Sequence, residues 1–263
     1  MVIAVYDLLT TGLHATLAIP LGLVAAGLLA GFLYRQRRAA SPLLPLRLLT
    51  SRRTGVGNLA QAWMVAGLFG FQCLGVIYVE RQLGYSPLTA GLAFLPVPVV
   101  IAAVSLGASA HLIARLGQRP VLAAGLVCIA AGLALPTQLP DHARYLPDIL
   151  PAALRIALGF RTAYPALAGL AVASAPPTAA GVASGLFNTT QQLGGALGLA
   201  LLTRLATSHL HPAAHLAALT GYHLAFTAAT GLVIAALLLT APATAAQATS
   251  PRTVSPRRYG RSR

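Results

Sequence analysis

Seven long apolar stretches, separated by short connectors that carry turn residues or arginine, fill most of this 263-residue chain. About 20 helical residues cross the hydrocarbon layer of a bilayer, and a helix satisfies its own backbone hydrogen bonds there. The pattern therefore predicts an all-α integral membrane protein with about seven transmembrane helices. The predicted spans are 12–33, 55–79, 89–113, 118–139, 147–172, 182–206 and 219–240.

The composition supports this prediction and excludes several classes of function. Hydrophobic residues make up 57% of the chain and charged residues only 8%, whereas soluble proteins carry about 25% charged residues. The net charge of +14 does not predict nucleic-acid binding, because no soluble basic domain is left outside the spans. No catalytic triad, phosphate loop or carboxylate pair stands in a credible context, so we expect no enzyme and no cofactor.

A small histidine cluster, His209, His211 and His215, is the one pattern that resembles a metal site. No carboxylate or cysteine lies near it in sequence, and Pro212 interrupts helical spacing. We therefore expect no bound metal.

The placement of arginine predicts the orientation, because the loops richer in arginine stay in the cytoplasm. All 18 basic residues are arginine, and thirteen fall on one side if the N-terminus lies outside the cell membrane and the C-terminus lies in the cytoplasm. The tail, residues 242–263, is rich in Ala, Thr, Ser, Pro and Arg, and it is predicted to be basic, disordered and cytoplasmic.

The sixth predicted span combines small residues with amides. Gly181 and Gly185 stand four residues apart, as do Gly194 and Gly198, which opens grooves for neighbouring helices. Asn188 and Gln192 share one face, and amides are costly against lipid. That face is predicted either to line a watery cavity or to form hydrogen bonds between helices.

Further polar residues lie inside the other spans. Gln61 and Gln72 differ by eleven residues, about three turns, and are candidates for the same cavity. Arg155 and Arg161 lie within the fifth span, where a central arginine costs about 2.5 to 3.5 kcal/mol. They are either an anionic-substrate or coupling site, or changes accepted in a chain that no longer transports.

Several segments together resemble the fourteen-helix drug:proton antiporters of the major facilitator superfamily. Leu43-Leu-Pro-Leu-Arg-Leu-Leu49, before a helix with Gly57-Asn58, is similar to the connector ahead of the family's ninth helix. Leu83-Gly-Tyr-Ser-Pro-Leu-Thr-Ala-Gly-Leu-Ala-Phe-Leu-Pro96 resembles the next outer loop and tenth helix. Arg115, Gly117 and Arg119 match the short inner loop after it, a loop that in the family is thought to stabilise one conformation of the transport cycle; ordinary inner-side positive charge is the alternative.

This resemblance covers the chain to about residue 240 and begins at the end of the family's seventh helix. It implies the C-terminal half of a transporter, with residues 1–53 as a linker helix and cytoplasmic connector and residues 54–241 as a six-helix bundle. It also implies proton-coupled export of small amphipathic compounds. The implied partners are the lipid bilayer, substrate and proton, and either an N-terminal half-transporter or a second copy. The alternative is a bundle that does not transport, either a decayed remnant or an accessory to another transporter.

Overall fold

The computed structural model describes residues 51–105, 108–139, 143–172, 175–207 and 215–245, together with separate helical positions between residues 20 and 38. These residues form helices and short connections, and no strand occurs among them. We number the helices α1 to α8 from residue 52 onward. Their bounds are Arg52–Arg81, Pro87–Ala93, Pro96–Ser105, Ala108–Leu116, Gln118–Ala134, Leu150–Val172, Ala180–Thr207 and His215–Ala245.

The predicted all-α membrane fold is confirmed. Four segments of the described chain are long and apolar enough to cross a membrane, judged by length and composition: Arg52–Arg81, Pro87–Val104, Gln118–Gln138 and Leu219–Pro242. Helices α6 and α7 also have sufficient length, with 23 and 28 residues. Two arginines in α6 and a run of amides and threonines in α7 make these helices less apolar.

Helix α1 lies at the centre of the bundle. It begins after Ser51, whose hydroxyl accepts a hydrogen bond from the Thr54 amide at 3.3 Å and so caps the helix. Buried residues lie all round this 30-residue helix, and α6, α7 and α8 each pack against it. Because one helix contacts three neighbours, its side chains decide how the bundle is held together.

The predicted span 89–113 is not one continuous helix. It is interrupted at Phe94 and Leu95, between α2 and α3. Residues 106 and 107, between α3 and α4, lie outside the described residues. Pro96 has no amide hydrogen to donate to Leu92, and the Leu95 amide donates to that carbonyl instead, at 3.1 Å. The Val97 amide donates to Phe94, which leaves the Ala93 carbonyl outside the helical ladder.

Tyr145 completes this break from another part of the chain. Its hydroxyl donates a hydrogen bond to the carbonyl of Ala93, and its ring packs against Phe94 with centroids 6.0 Å apart. Burial, and secondarily the neighbouring Tyr85, raises the pKa of the Tyr145 phenol, so it stays protonated and able to donate at neutral pH. Tyr145 therefore stabilises the break from outside the helix in which it occurs.

The unit formed by residues 1–46 is separate from the unit formed by 47–263. In the first, the described positions are helical and exposed, and the Arg38 guanidinium lies 4.8 Å from the ring centre of Tyr34. Most of the predicted span 12–33, the segment 43–49 and the tail after residue 245 lie outside the described residues.

Candidate functional site

A cavity of about 230 Å³ opens between α1, α3, α6 and α7. Its walls are mainly apolar and aromatic, and α1 supplies the largest share. No charged side chain is among the described residues that line it. The lining residues are Val65, Leu68, Phe69, Phe71, Gln72, Val97, Ile101, Ala153, Ile156, Ala157, Phe160 and Gln191.

Two amides provide the polar groups of this cavity. Gln72 comes from α1 and Gln191 from α7. The Tyr164 hydroxyl donates to Oε1 of Gln191 at 3.2 Å, which fixes the amide and leaves its NH₂ group as a donor. The Tyr164 ring packs between Phe160 and Phe187, with centroid distances of 5.2 and 5.6 Å. An apolar pocket with a few positioned polar groups is the usual form of a small-molecule site.

The four amides predicted to line the cavity fall into three groups. Gln72 lines the cavity, whereas Gln61 is fully buried in the helix packing below it. Asn188 and Gln192 are exposed on α7 and are not among the lining residues. Sequence reasoning missed Gln191, since three amides lie within five residues and each successive position turns the helix by about 100°. The hydrogen bond with Tyr164 distinguishes Gln191 from the other amides, and this hydrogen bond depends on how α6 and α7 pack.

The two arginines predicted to lie within a span, Arg155 and Arg161, are on α6 and are not among the residues that line the cavity. Arg155 is exposed, and its guanidinium donates to the Pro151 carbonyl at 3.4 Å. The carbonyl of Arg155 accepts a hydrogen bond from the Cys128 thiol at 3.2 Å. Arg161 is half-buried. Asp148, near Arg155 in sequence, accepts a hydrogen bond from the Arg144 backbone amide at 2.7 Å and thereby orders the start of the helix.

The glycine pairs of α7 have different surroundings. Gly194 and Gly198 are buried against α1, where a Cβ at Gly194 would lie 2.6 Å from Ala62 Cα and one at Gly198 would approach Ala66 more closely still. At Gly181 and Gly185 a Cβ would meet nothing within 4 Å. Of the two pairs, Gly194 and Gly198 form a close helix contact with the described part of the bundle, and Gly181 and Gly185 do not.

The predicted inner-loop residues lie between α4 and α5. Arg115 is exposed in the last turn of α4, and Gly117 adopts φ +88°, a conformation that favours glycine. Arg119 is half-buried. Gln118, which the sequence did not mark as important, donates through Nε2 to the Ala166 carbonyl at 2.5 Å and fastens this turn to α6.

No cluster of metal-ligating residues occurs among the residues that the structure describes. His209 and His211 lie outside them, as does the side chain of His215. The ring of His223 is 3.2 Å from the Leu139 carbonyl.

Comparison with known proteins identifies the family. The model of the Major Facilitator Superfamily matches residues 5–199. The chain belongs to the major facilitator superfamily. A puromycin resistance protein of Streptomyces alboniger is 35% identical over 81% of this chain and 44% of its own length. A cephamycin export protein of Amycolatopsis lactamdurans is 36% identical over 74% of this chain and 40% of its own. A multidrug resistance protein B homolog of Mycobacterium tuberculosis is 31% identical over 65% of this chain and 32% of its own length.

These comparisons confirm the resemblance to this superfamily that was drawn from the sequence. This major facilitator chain spans less than half the length of the curated relatives that it matches. The multi-pass membrane location is confirmed by the family and by the apolar helices. The residue assignments, the orientation and the partner bundle remain predictions.

Proposed function

We propose that this chain forms one bundle of a proton-coupled exporter of small amphipathic compounds. The carrying observation is the cavity itself, whose apolar and aromatic wall presents two amides, Gln72 and Gln191, and no charged residue from the described part of the chain. Such a surface suits a flat apolar molecule with one or two hydrogen-bonding groups. The names of the relatives, which include antibiotic export and resistance proteins, support this function.

The exposed face of α7 supplies the argument for a second bundle. Asn188 and Gln192 are exposed, and an amide facing lipid is costly because nothing there can replace its hydrogen bonds with water. Gly181 and Gly185 on the same helix offer close approach to a neighbouring backbone. We propose that this face meets a second bundle across a watery cavity, as in transporters built from two related bundles.

The proposed organisation of the chain follows the regions and the orientation predicted from the sequence. Residues 54–241 would form the bundle, 1–53 the preceding helix and connector, and 242–263 a cytoplasmic tail, with the N-terminus outside. Among the described residues no carboxylate lines the cavity, and the described acids, Glu80 and Asp148, lie near the predicted outer side. Proton coupling would therefore rest on acidic residues of the second bundle.

An accumulation assay tests the function. The chain is expressed in a drug-sensitive host, alone and together with an N-terminal bundle of a relative, and the intracellular level of a fluorescent substrate is measured. We expect accumulation to fall only when both bundles are present, and to rise again with a protonophore.

The cavity variants Gln72→Leu and Gln191→Leu should lose this export, whereas Leu238→Ala, on an exposed part of α8, serves as the matched control. Unchanged accumulation in cells that contain both bundles in the membrane would refute the transport function. Full export by both cavity variants would refute only the site.

A further inference from the structure

A second polar feature lies deeper in the bundle, on the face of α1 below the cavity. Thr54, Asn58 and Gln61 follow one another at steps of four and three residues, so they lie on one face of the helix. They are 1%, 8% and 0% exposed, which places three polar side chains in the packed interior.

The protein satisfies only part of this polar face. Thr54 donates through its hydroxyl to the Ala171 carbonyl of α6 at 3.2 Å, and Asn58 donates through Nδ2 to the Thr54 carbonyl at 2.8 Å. Three buried atoms receive no hydrogen bond from the protein: Oδ1 of Asn58 and both Nε2 and Oε1 of Gln61. Buried polar atoms are nearly always hydrogen-bonded, so a small ligand is expected to meet them.

The chemistry of these three atoms selects the ligand. Two are acceptors and one is a donor, so the partner has to donate and accept hydrogen bonds at once. A monovalent cation would suit the oxygens but would face the NH₂ group of Gln61, and an anion would suit only that group. We propose that Asn58 and Gln61 bind internal water between α1 and α6. Buried waters commonly make about three hydrogen bonds to groups of this kind.

The position of this site connects it to the cavity. Val65 lies one turn, about 6 Å, beyond Gln61 on the same face of α1, and Val65 lines the cavity. Gln72, eleven residues from Gln61, lies on that face as well. The bound water therefore continues the polar surface of α1 from the cavity toward the N-terminal end of this helix, at Arg52. The contact of α1 with α7 is different, because Gly194 and Gly198 pack directly against Ala62 and Ala66 and leave no room even for a Cβ.

X-ray hydroxyl-radical footprinting of the purified chain in lipid nanodiscs tests this site, because radicals form at bound water even where bulk solvent does not reach. We expect oxidation of Met64 and its neighbours in α1, although Met64 is 0% exposed. The internal control is Phe226 of α8, which is 2% exposed. Rates are divided by the intrinsic reactivity of each side chain. A Met64 rate as low as that of Phe226 would overturn the proposal.

Variants identify the ligand and its residues. Gln61→Leu and the double variant N58L/Q61L should lower the oxidation of Met64 at least threefold, and Gln72→Leu on the same face should leave it unchanged. If the variants do not fold, the wild-type comparison with Phe226 decides alone. The melting temperature is also compared in sodium chloride and choline chloride. A sodium-dependent rise that Gln61→Leu abolishes would assign the site to a cation and overturn the water.

Discussion

The two halves of α7 carry the same glycine spacing but have opposite surroundings. Gly194 and Gly198 meet Ala62 and Ala66 of α1, a second pair of small residues four positions apart, and the two backbones approach closely. Gly181 and Gly185 meet nothing within 4 Å. The spacing alone therefore predicts the capacity for close contact, and the partner decides whether the contact forms inside this bundle. We infer that the open half is kept for a second bundle.

The largest expected effect comes from filling the closed half. Gly198→Leu places a branched side chain against Ala66, where even a Cβ has no room, so the helices have to separate. We expect a loss of about 3 kcal/mol in the free energy of unfolding, measured by titrating the protein in mild detergent with SDS.

Gly185→Leu is the matched control for that variant, since it makes the same change in the open half. Its stability should stay within about 0.5 kcal/mol of the wild type. Equal losses from both variants would show that the two halves do not differ in packing.

A reciprocal change on α1 sharpens the contact. Ala66→Leu should destabilise the bundle by about 2 kcal/mol, because it overfills the same space from the other side. Residues in direct contact are not additive, so the double variant A66L/G198L should differ from the sum of the single variants by about 1 kcal/mol. An additive double variant would contradict a direct contact between these positions.

The architecture could be predicted from the sequence more fully than the site. Long uncharged stretches are sufficient for a membrane bundle, because lipid leaves the backbone few alternatives. The break at Phe94 was foreseeable only as a consequence of Pro96, and its fastening by Tyr145 required the fold. Gln191 and Gln192 are chemically identical neighbours, so their sequence cannot tell which one meets Tyr164.

This pair of amides gives a smaller, more specific prediction. Gln191→Leu should weaken binding of a small aromatic ligand about fivefold, since one hydrogen bond is worth about 1 kcal/mol. Gln192→Leu, one position away and exposed, should leave the affinity of the single bundle unchanged. Binding is measured by photolabelling with a neutral aromatic diazirine at several concentrations. Equal loss from both variants would remove Gln191 from its proposed role.

A substitution at Gly181 should change export without changing the stability of the bundle. Gly181→Leu should not affect unfolding of the bundle, yet it should reduce export when both bundles are present, because it fills a groove that the second bundle approaches. Normal export by this variant, measured in the accumulation assay, would mean that the open half has no partner.

Thiol labelling of the open face tests the central claim most directly. In a background without Cys73 and Cys128, Asn188→Cys is compared with Leu238→Cys of α8, which is 67% exposed in the bundle. With both bundles in the membrane, a water-soluble maleimide should label position 188 but not position 238, which we predict to face lipid, and substrate should slow the labelling. An unreactive position 188 that behaves like position 238 would contradict a watery cavity on this face.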